Sequence, residues 1–211
     1  MATHATSSKP APAAQRRAGR PRRYTHDQVV DAALKVMERE GFAALGIRAL
    51  AQELKIAPSM LYNYFERIED VEAEALQRLA AMIPMPQPGS AAEMRKQTLD
   101  CLLLVRQIVL KHPGVLTPPL GSAAANTFTE TAVSWVQAMT PYATSADAAV
   151  IGHGALMNTV ARSAENERTY GPDYVAIIQR VRDKRLPAPK SLRHVLEHLL
   201  DSLFPGFKKA R

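Results

Sequence analysis

The chain has 211 residues, which is enough for one large domain or two small domains that each bury a core. Because 46% of the residues are hydrophobic, an intrinsically disordered protein is excluded. The 27 lysines and arginines outnumber the 20 aspartates and glutamates, which gives a formal charge of +7. Such a positive charge is compatible with binding to a nucleic acid, with binding to an anionic membrane surface, or with a role in solubility alone. The location of the basic residues along the chain distinguishes these explanations.

Export and membrane insertion are not indicated by any segment. Residues 1–15 lack the continuous apolar run of a signal peptide. The longest apolar stretch, residues 148–161, falls short of the ~20 residues that a membrane span needs. The single cysteine, Cys101, excludes an intramolecular disulfide framework, and its apolar surroundings favour an inert core residue over a redox sensor. We therefore expect a cytoplasmic protein with no membrane partner.

The sequence divides into a basic arm and two helical domains. Residues 1–23 are rich in Pro, Ala, Ser and Arg and contain no acidic residue, so we expect a disordered basic arm. Residues 24–83 form a dense helical block, and the proline-rich residues 84–89 mark the boundary to a helical C-terminal domain, residues 84–211. In that domain helical periodicity covers about residues 90–111, 122–139, 145–166, 172–184 and 190–204. Since no run of alternating strands occurs, the predicted fold class is all-α.

Three helices are predicted at the start of the N-terminal domain. Thr25 and Gln28 form a capping-box pattern before the first helix, and Gly41 suits a left-handed residue at its end. A short second helix with an apolar stripe follows. The turn 55–57 then leads to a third helix with Pro58 at its first position. Two short helices joined by a tight turn after a longer one is the helix-turn-helix plan, whose last helix enters the major groove.

A fourth helix, over about residues 69–83, is predicted to link the two domains. Its apolar positions Val71, Ala75, Leu79 and Met82 are expected to pack on both sides of the boundary. Because it is the covalent connection between the domains, a tilt of this helix would change the position of the helix-turn-helix.

Several short motifs occur in order and with regular spacing across the three N-terminal helices. They are Ala32-Ala33, Gly41-Phe42, residues 47–51, Leu54, residues 61–65 and residues 69–71. In this order, residues 24–71 resemble the DNA-binding domain of TetR-family repressors. The sequence departs from the family at Gly46, where Ser or Thr is usual, at Ala57, where Ser is often found, and at Lys55, where a small residue, often Gly, is usual.

The resemblance implies a transcriptional regulator and not an enzyme. Its simplest form is a repressor that a small-molecule effector releases from a palindromic operator. The expected partners are double-stranded DNA, a second copy of the chain and an unidentified, largely apolar effector, with no cofactor and no metal. An architectural or ligand-independent DNA-binding protein is the alternative.

The resemblance also implies which residues contact DNA. Tyr62 and Tyr64 match positions that touch phosphates, with packing against the first helix as the alternative for both. Arg48 matches a position that reaches a base or a phosphate, with a solvated surface arginine as the alternative, and Lys55 would meet phosphate. Asn63 has a side chain able to hydrogen-bond adenine, whereas its groove-facing neighbours suit thymine methyl groups. The full predicted DNA-binding set is Arg20, Arg22, Arg23, Thr25, Arg48, Lys55, Ala57, Pro58, Met60, Tyr62, Asn63 and Tyr64.

The arm is a second candidate DNA contact. Residues 18–23, Ala-Gly-Arg-Pro-Arg-Arg, are similar to the core of an AT-hook, whose arginines enter a narrow A·T-rich minor groove. A diffuse electrostatic tether is the alternative, and both interpretations keep the arm on DNA.

In the family the C-terminal domain pairs two protomers and encloses an effector pocket. The predicted interface residues are Gly152, Ala155, Leu192, Val195, Leu196, Leu199 and Leu203. The predicted pocket residues are Leu103, Gln107, Phe128, Trp135, Met139 and Met157. An ordinary intramolecular core is the alternative for both sets. His194 and His198 have the spacing of a metal-binding pair, but the sequence offers no third ligand.

Overall fold

The computed structural model describes residues 23–116, 126–183 and 191–210, with side chains omitted at 172–183, 209 and 210. All regular secondary structure in these ranges is helical, which confirms the all-α fold class. The α-helices are α1 (His26–Glu40), α2 (Ile47–Leu54), α3 (Ile68–Ala80), α4 (Ala91–Lys111), α5 (Thr129–Met139), α6 (Ala146–Asp183) and α7 (Leu192–Leu203). Short 3-10 helices cover Phe42–Ala44, Pro58–Asn63, Thr140–Tyr142 and Pro205–Ala210. Within the described ranges, no helix is long and apolar enough to cross a membrane.

Helix α1 begins at the predicted capping box. The Gln28 amide donates to Thr25 Oγ1 at 3.2 Å, and the Thr25 amide donates to Gln28 Oε1 at 2.8 Å. At the other end, Gly41 has φ 91° and ψ 164°, so it is extended and not in the left-handed helical conformation that the sequence predicted. That conformation turns the chain away from α1 and directs Phe42 into the core.

Helix α3 packs on α1 and forms the link to the C-terminal domain. The predicted buried positions Val71, Ala75 and Leu79 are confirmed, each with 2% exposure or less. The prediction for Met82 is wrong, because α3 ends at Ala80 and the following turn leaves Met82 57% exposed. Ile83 takes the buried position instead.

A second connection joins the domains where α4 ends. The Phe42 amide donates to the Pro113 carbonyl at 2.7 Å, and Lys111 lies 3.4 Å from Glu38 of α1. His112 between them is buried, and this burial lowers its pKa, with a smaller contribution from Lys111 in the same direction and an opposing one from Glu38. The covalent link through α3 is therefore supplemented by a non-covalent contact, which we call the Phe42–Pro113 clasp.

Helices α4, α6 and α7 pack together in the C-terminal domain. Cys101 is buried as predicted, and burial raises its pKa to about 12, so the thiolate needed for redox chemistry is essentially absent at neutral pH. Gly171 has φ 39° and interrupts α6 at the separator that the sequence predicted between two helices.

Two predicted dimer-interface residues instead belong to the core of the protomer. A Cβ atom on Gly152 would lie 2.8 Å from the Phe204 ring, so this glycine permits close packing within one chain. Leu196 of α7 is fully buried beside Leu200 in the same core. The apolar sequence pattern is therefore correct at both positions, but the surface that it covers is internal.

Candidate nucleic-acid interface

The turn after α2 depends on a left-handed residue. Lys55 has φ 52° and ψ 48°, and its amide donates to the Gln52 carbonyl at 3.1 Å. The Ile56 amide donates to the Ala51 carbonyl at 3.0 Å, so the last carbonyls of α2 are satisfied by the turn itself. A β-carbon is strained in this conformation, which is why glycine is favoured there. The Lys55 side chain is exposed at the tip of the turn.

The segment after the turn is a 3-10 helix, Pro58–Asn63, and not the α-helix that the sequence predicted. Its amides bond three residues back, from Met60 to Ala57 at 2.9 Å and from Tyr64 to Leu61 at 2.8 Å. Pro58 contributes no donor, and Ala57 offers no side-chain cap, so the first turn has little to hold it in α-helical geometry.

One face of this segment is anchored and the other is open. Leu61 is fully buried and Phe65 nearly so, which confirms both as anchors. Tyr62 is 59% exposed and Met60 41% exposed. The exposed residues of the segment and its approach are Ala57, Pro58, Ser59, Met60, Tyr62 and Asn63. Ser59 was missed by the sequence analysis, although it lies between two predicted contacts in one continuous exposed run.

Tyr64 does not project outward with its neighbours. Its side chain is only 9% exposed, and its hydroxyl accepts the Tyr24 amide at 3.2 Å. The prediction that Tyr64 reaches phosphate is therefore corrected in favour of the packing alternative. The change from α to 3-10 geometry turns this position inward, because side chains three residues apart eclipse one another in a 3-10 helix and Tyr64 follows Leu61.

The root of the basic arm lies beside the turn. Tyr24 donates its hydroxyl to the Leu54 carbonyl at 2.6 Å, which fixes the start of α1 to the end of α2. Arg23 donates from Nη1 to the Lys55 carbonyl at 3.4 Å and lies 5.5 Å above the Tyr24 ring. The arm therefore leaves the domain next to the exposed face of the 3-10 helix. Arg20 and Arg22 lie outside the described residues.

Two further predicted DNA contacts are exposed. Arg48 lies on the open side of α2 with its side chain free of the core. Thr25 is exposed as well, although its hydroxyl is engaged as the cap of α1. Arg23, Arg48 and Lys55 are the basic residues among these predicted contacts, and their charge suits phosphate.

The predicted pocket residues are dispersed between core and surface. Trp135 and Met139 are core residues, and the Trp135 indole donates to the Pro84 carbonyl at 3.1 Å, which fixes the linker to α5. Leu103, Phe128 and Met157 are partly buried, whereas Gln107 is exposed. Among the described residues, no group of three or more His, Cys, Asp or Glu side chains is arranged to hold a metal ion.

The N-terminal domain matches a known protein family. Residues 29–75, which cover most of α1, all of α2 and the 3-10 helix Pro58–Asn63, and most of α3, match the family model for bacterial regulatory proteins of the tetR family. The N-terminal helix-turn-helix domain is therefore of the tetR type. The match identifies residues 29–75 as a helix-turn-helix DNA-binding domain of the kind found in bacterial regulatory proteins.

The chain is also similar to a curated relative and to several solved structures. An HTH-type transcriptional regulator from Saccharopolyspora erythraea is 28% identical over 89 residues, which cover 42% of this chain and 37% of the relative. The chain therefore matches only about a third of that protein's length. ActR from Streptomyces coelicolor in complex with actinorhodin covers 87% of this chain and 98% of its own, with 23% identity and a TM-score of 0.54. BioQ with its double-stranded DNA operator covers 86% and 98%, with 18% identity and a TM-score of 0.59. At these identities the two structures support the fold alone.

Replacement of Lys55 by glycine should separate stability from DNA affinity. Loss of the left-handed strain, worth about 1–2 kcal/mol, outweighs the added flexibility of glycine in the unfolded chain, about 0.4–1 kcal/mol. We therefore expect Lys55→Gly to raise the free energy of unfolding by up to about 1.5 kcal/mol and to weaken DNA binding. The slope of log affinity against log salt should fall by about 0.9, as for one lost phosphate contact.

Urea unfolding and salt-dependent DNA titration measure the two effects. Lys208→Ala, which removes an exposed charge near the end of the chain, is the matched control and should leave the slope unchanged. An unchanged slope in Lys55→Gly would remove Lys55 from the DNA contacts.

Proposed function

We propose that the chain is a repressor that binds a palindromic operator as a homodimer and leaves it when a small molecule binds the C-terminal domain. The observation that carries the DNA-binding surface is the anchored 3-10 helix, which buries Leu61 and Phe65 while presenting Met60, Tyr62 and Asn63 outward. A rigid segment with an open face is what insertion into the major groove requires. BioQ, a protein of similar fold, has been solved with its operator.

Within this surface each side chain has a distinct role. Asn63 reads adenine through its amide, and Met60 with Ala57 and Pro58 contacts thymine methyl groups. Tyr62 donates its hydroxyl to a phosphate, and Lys55 and Arg48 add phosphate or guanine contacts. The hydroxyl of Ser59 contacts either a base or a phosphate. The basic arm, which starts beside Lys55, follows the adjacent minor groove or backbone.

A homodimer is supported by exposed apolar side chains on the two last helices. Val150 and Ile151 of α6 are 58% and 69% exposed, and a Cβ on Gly154 would meet no atom within 4 Å. On α7, Leu192, Val195, Leu199 and Leu203 are partly exposed beside the buried Leu196. Large exposed apolar residues clustered on two helices are typical of an association surface. The proposed interface therefore consists of Ala155, the four α7 residues, Val150 and Ile151. It does not include Gly152 or Leu196.

The effector hypothesis draws on ActR, a protein of similar fold solved with actinorhodin. Binding in the C-terminal domain would act on DNA through α3 and the Phe42–Pro113 clasp. Operator half-sites are spaced by helical turns of the duplex, so a shift of a few ångströms in the separation of the two recognition segments spoils simultaneous docking.

The test is selection of the operator from random DNA fragments, followed by footprinting and sedimentation. We expect a palindromic footprint, a dimer at micromolar concentration, and a loss of about 1–3 kcal/mol of discrimination at one base pair per half-site in Asn63→Ala. Tyr62→Phe should weaken binding uniformly across sequences. A chain lacking residues 1–22 should show a flatter salt dependence.

Gln137→Ala is the matched control for Asn63→Ala, because it removes an exposed amide of α5 in the C-terminal domain. A monomer bound to a non-palindromic site would overturn the dimeric repressor. A palindromic dimer that no compound releases would favour the architectural alternative.

A further inference from the structure

Two arginines on the same face of α4 have different surroundings. Arg95 and Arg106 lie three helical turns apart, and their side chains are 20% and 19% exposed. Arg95 donates from Nε at 2.7 Å and from Nη2 at 3.2 Å to the two oxygens of Asp201, which is itself 17% exposed. This bidentate pair satisfies the guanidinium of Arg95 in the geometry that carboxylates prefer.

Arg106 has only half of such a pairing. Its Nη2 contacts a carboxylate oxygen of Glu167 on α6, whereas its Nε is buried and has no acceptor among the described residues. Glu167 is 54% exposed, so it exchanges its interaction with water more easily than Asp201 does. The guanidinium of Arg106 is therefore held in place at one end and left with an unused donor at the other.

The neighbours of Arg106 along α4 offer no side-chain acceptor to its Nε. One turn away on either side along α4 are the apolar side chains Leu102, Leu103, Val109 and Leu110, which are buried or partly buried. A buried N–H of a charged group without an acceptor is destabilising, and native proteins seldom retain one without a function. The missing group is an oxygen acceptor, and a carboxylate fits best because it also matches the charge and the planar geometry of the guanidinium.

We propose that Arg106 anchors the carboxylate of an organic acid whose apolar remainder lies against the leucines of α4. This inference rests on the proposed effector function and narrows it, because the effector becomes an amphipathic acid instead of a largely apolar molecule. Leu103, one of the predicted pocket residues, lies one turn before Arg106 on α4. The apolar part of the ligand would contact Leu103, and its carboxylate would contact Arg106.

The experiment compares acids with their uncharged amides on the full-length protein. The probes are 1-naphthoate with 1-naphthamide and decanoate with decanamide, measured by calorimetry and by the fluorescence of Trp135, the single tryptophan. We expect at least one acid to bind about tenfold or more tightly than its amide, as for one charge-assisted hydrogen bond. Arg106→Gln should abolish this preference, whereas Arg95→Gln should retain it.

Thermal stability without ligand supplies the second readout. Because the Nε of Arg106 is unsatisfied, Arg106→Gln should unfold at the same temperature as the natural chain or above it, whereas Arg95→Gln should unfold at a lower temperature. The proposal is overturned if neither acid binds at millimolar concentration, if acids and amides bind equally, or if the preference persists in Arg106→Gln.

Operator release in the same variants separates this proposal from the proposed function. If an acid binds through Arg106 but leaves the operator complex intact, the site stands and effector-driven release fails. If neutral compounds release the operator equally from the natural chain and from Arg106→Gln, effector-driven release stands and the Arg106 site fails.

Discussion

Replacement of Leu61 by alanine is expected to abolish operator binding, although Leu61 faces away from the proposed DNA surface. Its side chain is fully buried beneath the 3-10 helix, among the residues that α1 and α2 contribute to the core. Truncation of a buried leucine costs about 2–5 kcal/mol, which is a large fraction of the stability of a small domain. The segment would then lose its anchor and its fixed orientation.

The neighbouring Met60→Ala is the matched control. Met60 is 41% exposed, so its truncation should change the free energy of unfolding by no more than about 0.5 kcal/mol. It should still weaken operator binding through the lost methyl contacts. Urea unfolding of both variants identifies the buried face of the 3-10 helix, and DNA titration identifies the face that contacts DNA. Equal stability of the two variants would contradict the orientation of the 3-10 helix.

The anchored face was predictable from sequence, and the detailed geometry was not. Leu61 and Phe65 are four residues apart, the spacing of one face of an α-helix, so the sequence pattern predicts their burial although Phe65 lies just beyond the 3-10 helix. The position of Tyr64 depends instead on the 3-10 geometry and on the Tyr24 amide, which is 40 residues away in the chain. Sequence patterns report apolar periodicity but not which distant backbone group will need an acceptor.

The C-terminal domain shows the same limit more strongly. A Gly- and Ala-rich helix predicts close approach of another element, but it does not say whether that element belongs to the same chain. Here the neighbour of Gly152 is Phe204. The unused donor of Arg106 is likewise invisible in sequence, because an isolated arginine on a helix is ordinarily solvated. Both features require the packing of α4, α6 and α7 to be known.

The second large effect is expected from the same substitution made at two glycines. Gly41 has φ 91° and ψ 164°, a region that only glycine occupies readily, and its Cβ would lie 3.4 Å from the Pro113 carbonyl oxygen. We expect Gly41→Ser to lower the free energy of unfolding by about 1–3 kcal/mol. Gly46 is the N-cap of α2 in an extended conformation with no atom near its missing Cβ. Gly46→Ser should therefore be neutral or stabilise by a few tenths of a kcal/mol.

The consequence of Gly41→Ser should reach beyond stability, because Gly41 precedes the donor of the Phe42–Pro113 clasp. A displaced Phe42 amide loses its 2.7 Å bond to the Pro113 carbonyl, and the contact between the domains through Glu38 and Lys111 loosens with it. Hydrogen exchange should then accelerate at the amides of Phe42, His112, Gly114 and Val115 by more than the global loss of stability explains. If the clasp carries part of the coupling, an effector will release operator less effectively from Gly41→Ser, and operator will weaken effector binding less by the same factor, since coupling is reciprocal. If exchange is faster but effector and operator binding remain as strongly coupled as in the unmodified chain, α3 alone transmits the effect of the effector to the DNA-binding domain.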